Sequence, residues 1–222
     1  MTGVSNIAIV GTDTGIGKTV VTAGLVGRLR SEGIDAVGVK PCQTGHPPDD
    51  DAGFVREACG DESAGVCGRY LGPALAPAVA ADEADAALSY EEVRSFCATE
   101  LDAAEVGVLE GIGGLRVPLA DGREVVDLVA DLAVPAVVVS RSGLGTLNHT
   151  ALTVEALERR DIPVRGIVLN EYEGATVAER TNPAALEELT GHTVATLPPT
   201  DLSDPSAAVG LVADLPRYVD ID

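Results

Sequence analysis

The sequence is poor in positive charge, and above all in lysine. It has 15 lysine and arginine residues against 35 aspartate and glutamate residues, which gives a formal net charge of −20 at pH 7. Binding nucleic acid requires a basic face that neutralises phosphates, so this composition argues against a nucleic-acid partner. Lys18 and Lys40 are the two lysines of the chain. We expect each to supply a compact ammonium in a confined site, where arginine does not substitute for it; a chance remnant is the alternative for Lys40.

Long apolar runs and paired cysteines are also missing. No run approaches the roughly 18 residues of a membrane span, and residues 1–6 lack the basic region of a signal peptide. These absences predict a cytoplasmic protein without a membrane segment. Cys42, Cys59, Cys67 and Cys97 are scattered without Cys-x-x-Cys spacing, which argues against a zinc site or a disulfide framework and favours reduced thiols.

Length and apolar content are sufficient for a folded core. The chain has 222 residues, 45% of them hydrophobic, which suits one α/β domain spanning residues 1–222. The apolar periodicity argues against disorder despite the charge. Because molar salt screens charges beyond about 3 Å, we interpret the acidic excess as a surface suited to a salt-rich cytoplasm.

Strand and helix signals alternate along the chain. Strands are predicted at 4–10, 34–39, 106–109, 135–139, 164–169 and 193–197. Helices are predicted at 17–31, 51–59, 89–104, 123–133, 147–159, 182–190 and from about 205. Residues 61–88 are rich in Gly, Pro and Ala and show no readable pattern. Strands that are apolar throughout need helices on both faces, so we predict a single-domain, doubly wound α/β fold with a mostly parallel sheet.

One stretch organises the chain: Gly11-Thr12-Asp13-Thr14-Gly15-Ile16-Gly17-Lys18-Thr19. A buried strand that ends in glycines and restarts as a helix leaves backbone N–H groups pointing at one spot, where the helix dipole favours an anion. Lys18 adds a mobile positive charge, and the Thr19 hydroxyl can bind magnesium. Five residues separate Gly11 from Gly17, one more than in the common pattern. We interpret the stretch as a phosphate-binding loop; an ordinary glycine-rich turn is the alternative.

In a doubly wound sheet the ligand lies beyond the carboxyl ends of the strands. The residues that should converge there are the loop, Lys40, Glu110, Ser140 to Thr146, Asn170 and Pro198. Glu110 and Asp51 are candidate magnesium ligands with Thr19. The alternatives are a helix-capping or solvated carboxylate for Glu110 and a solvated one for Asp51, which lies in an aspartate run. The carboxamide of Asn170 matches the N6/N7 edge of adenine, but an asparagine after a strand is more often a turn residue.

Further motifs follow the loop in order. They are Lys40-Pro41 with Thr44-Gly45, Asp51-Ala52, Glu110-Gly111-Ile112-Gly113-Gly114 with Pro118-Leu119, Gly143-Leu144-Gly145-Thr146-Leu147-Asn148-His149, Asn170 and Pro198. Together with the five-residue spacer of the loop, this ordered set resembles the dethiobiotin synthetase family over essentially the whole chain. Each motif alone is weak, whereas their order is specific. The resemblance implies a fold of the P-loop NTPase type.

The resemblance also implies an activity: an ATP- and Mg²⁺-dependent ligase of biotin biosynthesis. In that family 7,8-diaminopelargonate and CO₂ form a carbamate, ATP phosphorylates the carbamate, and the second amine closes a cyclic urea with loss of phosphate. Lys40 would hold the carbamate, and Lys18 would neutralise charge on the transferred phosphoryl group. A homodimer is implied, with sites at the subunit interface.

Site residues follow from the resemblance position by position. The implied catalytic residues are Thr14, Lys18 and Lys40. The implied nucleotide-binding residues are Gly15, Ile16, Gly17, Lys18, Thr19, Val20, Asp51, Glu110, Gly111, Ile112, Gly113, Asn170, Glu171, Pro198 and Pro199. The implied magnesium ligands are Thr19, Asp51 and Glu110. The implied substrate residues are Thr44, at the diamine end, and Gly145, Thr146, Leu147 and Asn148, which would bind the far carboxylate from the partner subunit.

Two positions depart from the family pattern, and other classes stay open. Gly15 stands where some relatives carry an acid, and Gln43-Thr44 replaces a smaller pair. A partitioning or metallochaperone ATPase that acts through protein partners is an alternative, but such proteins usually carry a second lysine early in the loop, and Thr12-Asp13 supplies none. An amidating ligase of the cobyrinate type needs a glutaminase domain for which the chain is too short. A non-enzymatic nucleotide sensor is a further alternative.

Overall fold

A computed structural model describes residues 6–219. Its strands are β1 Ile7–Gly11, β2 Ala36–Lys40, β3 Gln43–Thr44, β4 Gly65–Cys67, β5 Tyr70–Leu71, β6 Val106–Glu110, β7 Pro118–Ala120, β8 Arg123–Glu124, β9 Ala136–Arg141, β10 Val164–Asn170 and β11 Val194–Thr196. Its α-helices are α1 Lys18–Ser31, α2 Asp51–Cys59, α3 Pro77–Glu83, α4 Tyr90–Ala103, α5 Val125–Asp131, α6 Thr146–Glu158, α7 Val177–Thr190 and α8 Ala207–Leu211. A short 3₁₀ helix spans Glu62–Ala64.

The central sheet has seven parallel strands in the order β11-β10-β9-β1-β6-β2-β4. Residues of α4, α5, α6 and α7 pack on one face of the sheet, and residues of α1, α2 and α8 pack on the other. The predicted doubly wound α/β fold is therefore confirmed. Within residues 6–219, no helix combines the length and the apolar character that crossing a membrane requires. All four cysteines are free thiols.

Strand β1 is apolar throughout because both of its faces are buried. Successive side chains of a strand point to opposite faces of the sheet. Ile7 and Ile9 enter the core beneath α1, whereas Ala8 and Val10 enter the core on the other face. A polar residue at any of these positions would be buried without a partner, so the run Ile7 to Val10 is apolar throughout.

Several element boundaries differ from the sequence prediction. Residues 4 and 5 of the predicted first strand lie outside the described residues. The helix predicted at 182–190 begins at Val177, because Thr176 and Glu179 form a capping box ahead of it, and Pro183 lies inside the helix. The region 61–88, which showed no pattern, supplies the edge strand β4 as well as β5 and α3. The helix predicted at 123–133 covers only Val125–Asp131, and the last helix covers only Ala207–Leu211.

Candidate active site

The glycine-rich loop joins the end of β1 to the start of α1. Gly17 is the N-cap residue of α1 and has the left-handed backbone angles φ 93° and ψ 22°. A Cβ atom on Gly17 would lie 2.2 Å from Nδ2 of Asn170. That amide nitrogen donates a hydrogen bond of 3.2 Å to the carbonyl oxygen of Ile16. Gly17 therefore meets two requirements, a positive φ and close contact with the end of β10.

The first turn of α1 is arranged to receive an anion. It contains no acidic residue, and no side chain caps its N–H groups. The positive end of the helix dipole and these uncapped amides point into the loop. Phosphate groups bind readily at such a helix start.

Lys18, the first residue of α1, is 6% exposed. Its ammonium donates a hydrogen bond of 2.8 Å to the carbonyl oxygen of Asp13, across the loop. Burial, and next the nearby charge of Lys40, lower the pKa of Lys18 to about 8. A negatively charged ligand in the loop would compensate this unfavourable environment.

Lys40 lies at the end of β2 and Glu110 at the end of β6, the neighbouring strand. Nζ of Lys40 donates a hydrogen bond of 2.9 Å to Oε1 of Glu110. It also forms a short ion pair with Oδ2 of Asp51, at the first turn of α2. Oγ1 of Thr19 donates to the same Oε1 of Glu110 at 2.8 Å. One buried cluster thus joins the loop, β2, β6 and α2.

The electrostatics of this cluster fix the charge of Lys40. Burial alone would lower the pKa of Lys40, but the carboxylates of Glu110 and Asp51 outweigh it and raise that pKa above its ordinary value. Burial would raise the pKa of Asp51, but the ammonium of Lys40 and the hydrogen bonds around it hold that pKa below its ordinary value. Burial raises the pKa of Glu110, and Lys40 offsets only part of the effect. The two carboxylates therefore favour the charged form of Lys40.

The donor set around Lys40 fits magnesium. Mg²⁺ prefers hard oxygen ligands and usually binds one or two carboxylates together with substrate phosphates. Glu110 and Asp51 supply the carboxylates, and both already hold a cation, the Lys40 ammonium. The Thr19 hydroxyl is hydrogen-bonded into the same cluster. The three predicted magnesium ligands therefore converge on one point.

An open cavity of about 880 Å³ extends over this cluster. The predicted site residues that line it are Thr14, Gly15, Gly17, Lys18, Thr19, Val20, Lys40, Thr44, Asp51, Glu110, Ile112 and Gly113. A second cavity of about 620 Å³ shares Gly15 with the first. Its wall includes Ile16, Asn170, Glu171 and Pro199. The phosphate-binding loop lies between the two cavities.

The remaining predicted residues line neither cavity. The carbonyl oxygen of Gly111 lies 3.4 Å from Nζ of Lys40. Pro198 accepts a hydrogen bond of 3.3 Å from Thr200. Residues 145–148 lie at the start of α6, where Oγ1 of Thr146 is buried and 2.9 Å from Oγ of Ser140. The structure thus brings most predicted residues together and leaves the start of α6 apart.

Two site features were not assigned a role from the sequence. Gln43 is 5% exposed and lines the larger cavity next to Asp51. Arg141 lines the smaller cavity, and its guanidinium forms an ion pair of 2.8 Å with Asp13 of the loop. Arg141 is the last residue of β9 and belongs to the range Ser140 to Thr146 that was expected to converge, but it was given no role of its own. For Gln43 the only sequence signal is its position three residues after Lys40.

These features define a class: a nucleotide-binding protein with a phosphate-binding loop, equipped for phosphoryl transfer. A family model described as an AAA domain matches residues 5–207. Among solved structures, the fold is similar to a ParA-family ATPase from Chlorobium tepidum, with a TM-score of 0.63 and 12% identity over 97% of this chain and 94% of that one. MinD from Pyrococcus horikoshii gives a TM-score of 0.57 and 16% identity over 92% and 86%. At such identities the likeness concerns the fold alone.

Curated relatives narrow the class further. The ATP-dependent dethiobiotin synthetase BioD of Haloferax mediterranei is 63% identical over 209 residues, which cover 94% of this chain and 90% of that protein. The enzyme of the same name from Anaeromyxobacter dehalogenans is 48% identical over 170 residues, 73% of this chain and 74% of that protein. This chain belongs to the family of ATP-dependent dethiobiotin synthetases, which are ligases. The family predicted from the sequence motifs is confirmed.

Proposed function

We propose that this chain makes dethiobiotin from 7,8-diaminopelargonate, CO₂ and ATP, with Lys40 as the residue that holds the carbamate. The observation that carries this proposal is the Lys40 ammonium, buried between Glu110 and Asp51 in a cavity that also contains Lys18. The two carboxylates raise the pKa of Lys40 and so favour its charged form. Lys40 acts as a fixed positive charge for an anionic intermediate.

The proposed reaction proceeds in three steps. One amine of the diamine adds to CO₂ and loses a proton, which gives a carbamate. A carbamate oxygen attacks the γ-phosphorus of ATP, the bond to the β–γ bridging oxygen breaks, and ADP leaves. The second amine then attacks the carbamate carbon of the mixed anhydride, phosphate departs with the electron pair of the C–O bond, and a proton is released.

Phosphoryl transfer asks the protein mainly for positioning and for positive charge. The uncapped start of α1 and Lys18 would hold the phosphates of ATP, and Thr14 would contact the transferred group from the loop. Thr19, Asp51 and Glu110 would hold Mg²⁺, which supplies Lewis-acid stabilisation of charge on the phosphate oxygens when bound. Lys40 would then lie beside the carbamate, and Lys18 would lie beside the phosphates of ATP.

The base of ATP would occupy the smaller cavity. Asn170 and Glu171 end β10 at this cavity, and Pro199 forms part of its wall. Pro198 precedes Pro199 and would shape the same wall. The carboxamide of Asn170 can donate to and accept from the N6/N7 edge of adenine. Its present bond to the Ile16 carbonyl uses one of the two amide protons.

The diamine would lie in the larger cavity, with its amines near Thr44. Its far carboxylate would bind at residues 145–148 of the partner subunit in a homodimer. Two facts support this arrangement: these residues line neither cavity of their own chain, and nearby Leu144 is 91% exposed. A subunit interface at this position would bury the apolar side chain of Leu144. ATP as a substrate and the free thiols support a cytoplasmic location.

The test is a reaction with 7,8-diaminopelargonate, ¹³C-labelled bicarbonate and Mg-ATP. We expect phosphate release that depends on the diamine, and dethiobiotin with one ¹³C atom per ADP formed, measured by mass spectrometry. Phosphate release at the same rate without diamine would refute the synthetase function. Gel filtration combined with light scattering tests the homodimer, with Leu144→Asp as the variant expected to yield monomers.

A further inference from the structure

Gln43 joins two parts of the larger cavity through both ends of its side-chain amide. Oε1 accepts a hydrogen bond of 2.9 Å from the backbone N–H of Asp51. Nε2 donates one of 3.0 Å to the backbone carbonyl of Thr44. The residue is 5% exposed, and its own N–H donates to the carbonyl of Arg69 at 2.8 Å. Backbone and side chain of Gln43 are both fixed.

The contact with Asp51 lies at the start of α2. The first N–H groups of a helix have no partner within the helix. The side chain of Asp50 caps α2 by accepting from the N–H of Gly53 at 2.9 Å. The N–H of Asp51 is left for Gln43, which reaches it from strand β3. The backbone that carries the Asp51 carboxylate is therefore held by a residue outside its own helix.

We propose that Gln43 is a positioning residue that sets the Asp51 carboxylate against Lys40 and the magnesium site and ties it to the strand carrying Thr44. This inference rests on the proposed role of Asp51 as a metal ligand. Asp51 is 27% exposed in its side chain, so packing alone does not hold its carboxylate. The ion pair with Lys40 holds the carboxylate, and Gln43 holds the backbone that carries it and links that backbone to the Thr44 carbonyl.

A purely structural role for Gln43 makes a different prediction. Loss of a helix-capping contact lowers the melting temperature and leaves the metal dependence of the folded enzyme unchanged. A positioning role lowers metal affinity in protein that is still folded. Metal affinity, measured on folded protein, separates the two roles.

The main variant is Gln43→Met, which keeps the approximate length of the side chain and loses both hydrogen bonds. The measurement is Mn²⁺ binding in the presence of ADP, by electron paramagnetic resonance, together with the half-saturating Mg²⁺ concentration for phosphate release. We expect Mn²⁺ affinity to fall about tenfold, equivalent to ~1.4 kcal/mol, while ADP affinity without metal stays within threefold. Unchanged Mn²⁺ affinity in folded Gln43→Met would overturn the proposal.

Two further variants serve as controls. Ser89→Ala removes the cap of α4, on the opposite face of the sheet, without changing charge, and should lower stability without changing Mn²⁺ affinity. Gln43→Glu keeps an acceptor for the Asp51 N–H and adds a negative charge near the metal site, so it should bind Mn²⁺ no more weakly than the wild type. A tenfold loss in Gln43→Glu would show that this hydrogen bond is not what matters. If Gln43→Met does not fold, Gln43→Asn, too short to reach Asp51, takes its place with the same expected loss.

The binding measurement is also independent of the overall reaction. Absence of diamine-dependent phosphate release in the wild type would refute the proposed function. Mn²⁺ binding to the ADP complex would still report whether Gln43 positions Asp51.

Discussion

The ammonium of Lys40 lies 2.9 Å from Oε1 of Glu110, and the two residues are 5% and 2% exposed. A pair so deeply buried is seldom retained for stability, because desolvation of both charges offsets most of their attraction. Asp51 adds a second carboxylate to the same ammonium. One ammonium and two carboxylates leave this cluster with a net negative charge, which would favour the binding of Mg²⁺. In the function proposed above, Lys40 would supply the positive charge for the carbamate.

Two glycines of the loop should respond differently to the same substitution. Gly17→Ala places a Cβ atom against Nδ2 of Asn170 in a left-handed residue, so both the loop and the end of β10 must move. We expect loss of ATP binding by at least tenfold in isothermal titration calorimetry. Gly15 has φ +68° but open space around the added atom.

Gly15→Ala is therefore the matched control for the preceding variant. Within the protein it carries only the backbone strain, about 1 kcal/mol, so it should lose less ATP affinity than Gly17→Ala. Equal losses in both variants would mean that backbone strain, and not the contact with Asn170, governs the loop.

Binding of ATP should consume a proton above pH 8. The pKa of Lys18 is about 8 in the free protein because of burial and the neighbouring Lys40. A bound phosphate favours the charged ammonium and raises this pKa, so the complex holds a proton that the free protein has lost. Uptake falls as the pH drops through 8, and at about pH 6 both states are protonated and uptake disappears. Titration calorimetry in two buffers of different ionisation enthalpy measures the uptake.

The coupling between protonation of Lys18 and ATP binding also predicts how the affinity for ATP depends on pH. Without metal, ATP should bind about tenfold more weakly at pH 9 than at pH 7. Lys18→Arg keeps its charge over this range and should show neither the proton uptake nor the loss. An identical pH profile in Lys18→Arg would assign the titration to another group.

Salt should stabilise the protein because its net charge is −20. Repulsion among surface carboxylates weakens as the screening length falls to about 3 Å at molar salt. We expect the melting temperature to rise by several degrees between ~0.1 M and ~2 M KCl. Sucrose at equal osmolality controls for general solvent effects, and a flat KCl curve would contradict an acidic surface adapted to salt.

The sequence was sufficient to predict the framework of the fold. The unbroken apolar run of β1, followed by glycines and then α1, predicts a buried parallel strand and a phosphate-binding turn, and both are present. The rule that ligands lie beyond the carboxyl ends of strands places Lys40 and Glu110 together. Their neighbouring strands, β2 and β6, confirm that placement.

Other features depend on contacts that no local pattern reveals. β4 is a three-residue edge strand with a glycine in a Gly- and Pro-rich region, so its apolar signal is too short to recognise. The bond from Gln43 to Asp51 depends on how β3 approaches α2. The ion pair of Arg141 with Asp13 joins residues 128 positions apart. Contacts of this kind leave no local pattern in the sequence, so they can be identified only from the folded structure.

The central claim is that Lys40 holds the carbamate, and the variant Lys40→Ala tests it most directly. The measurement is the rate of dethiobiotin formation from diamine, bicarbonate and Mg-ATP, by mass spectrometry, on protein whose fold and ATP binding have been verified. Loss of a fixed charge at the reacting centre predicts a rate at least ~100-fold below that of the wild type. A Lys40→Ala enzyme that forms dethiobiotin within threefold of the wild-type rate would contradict the claim.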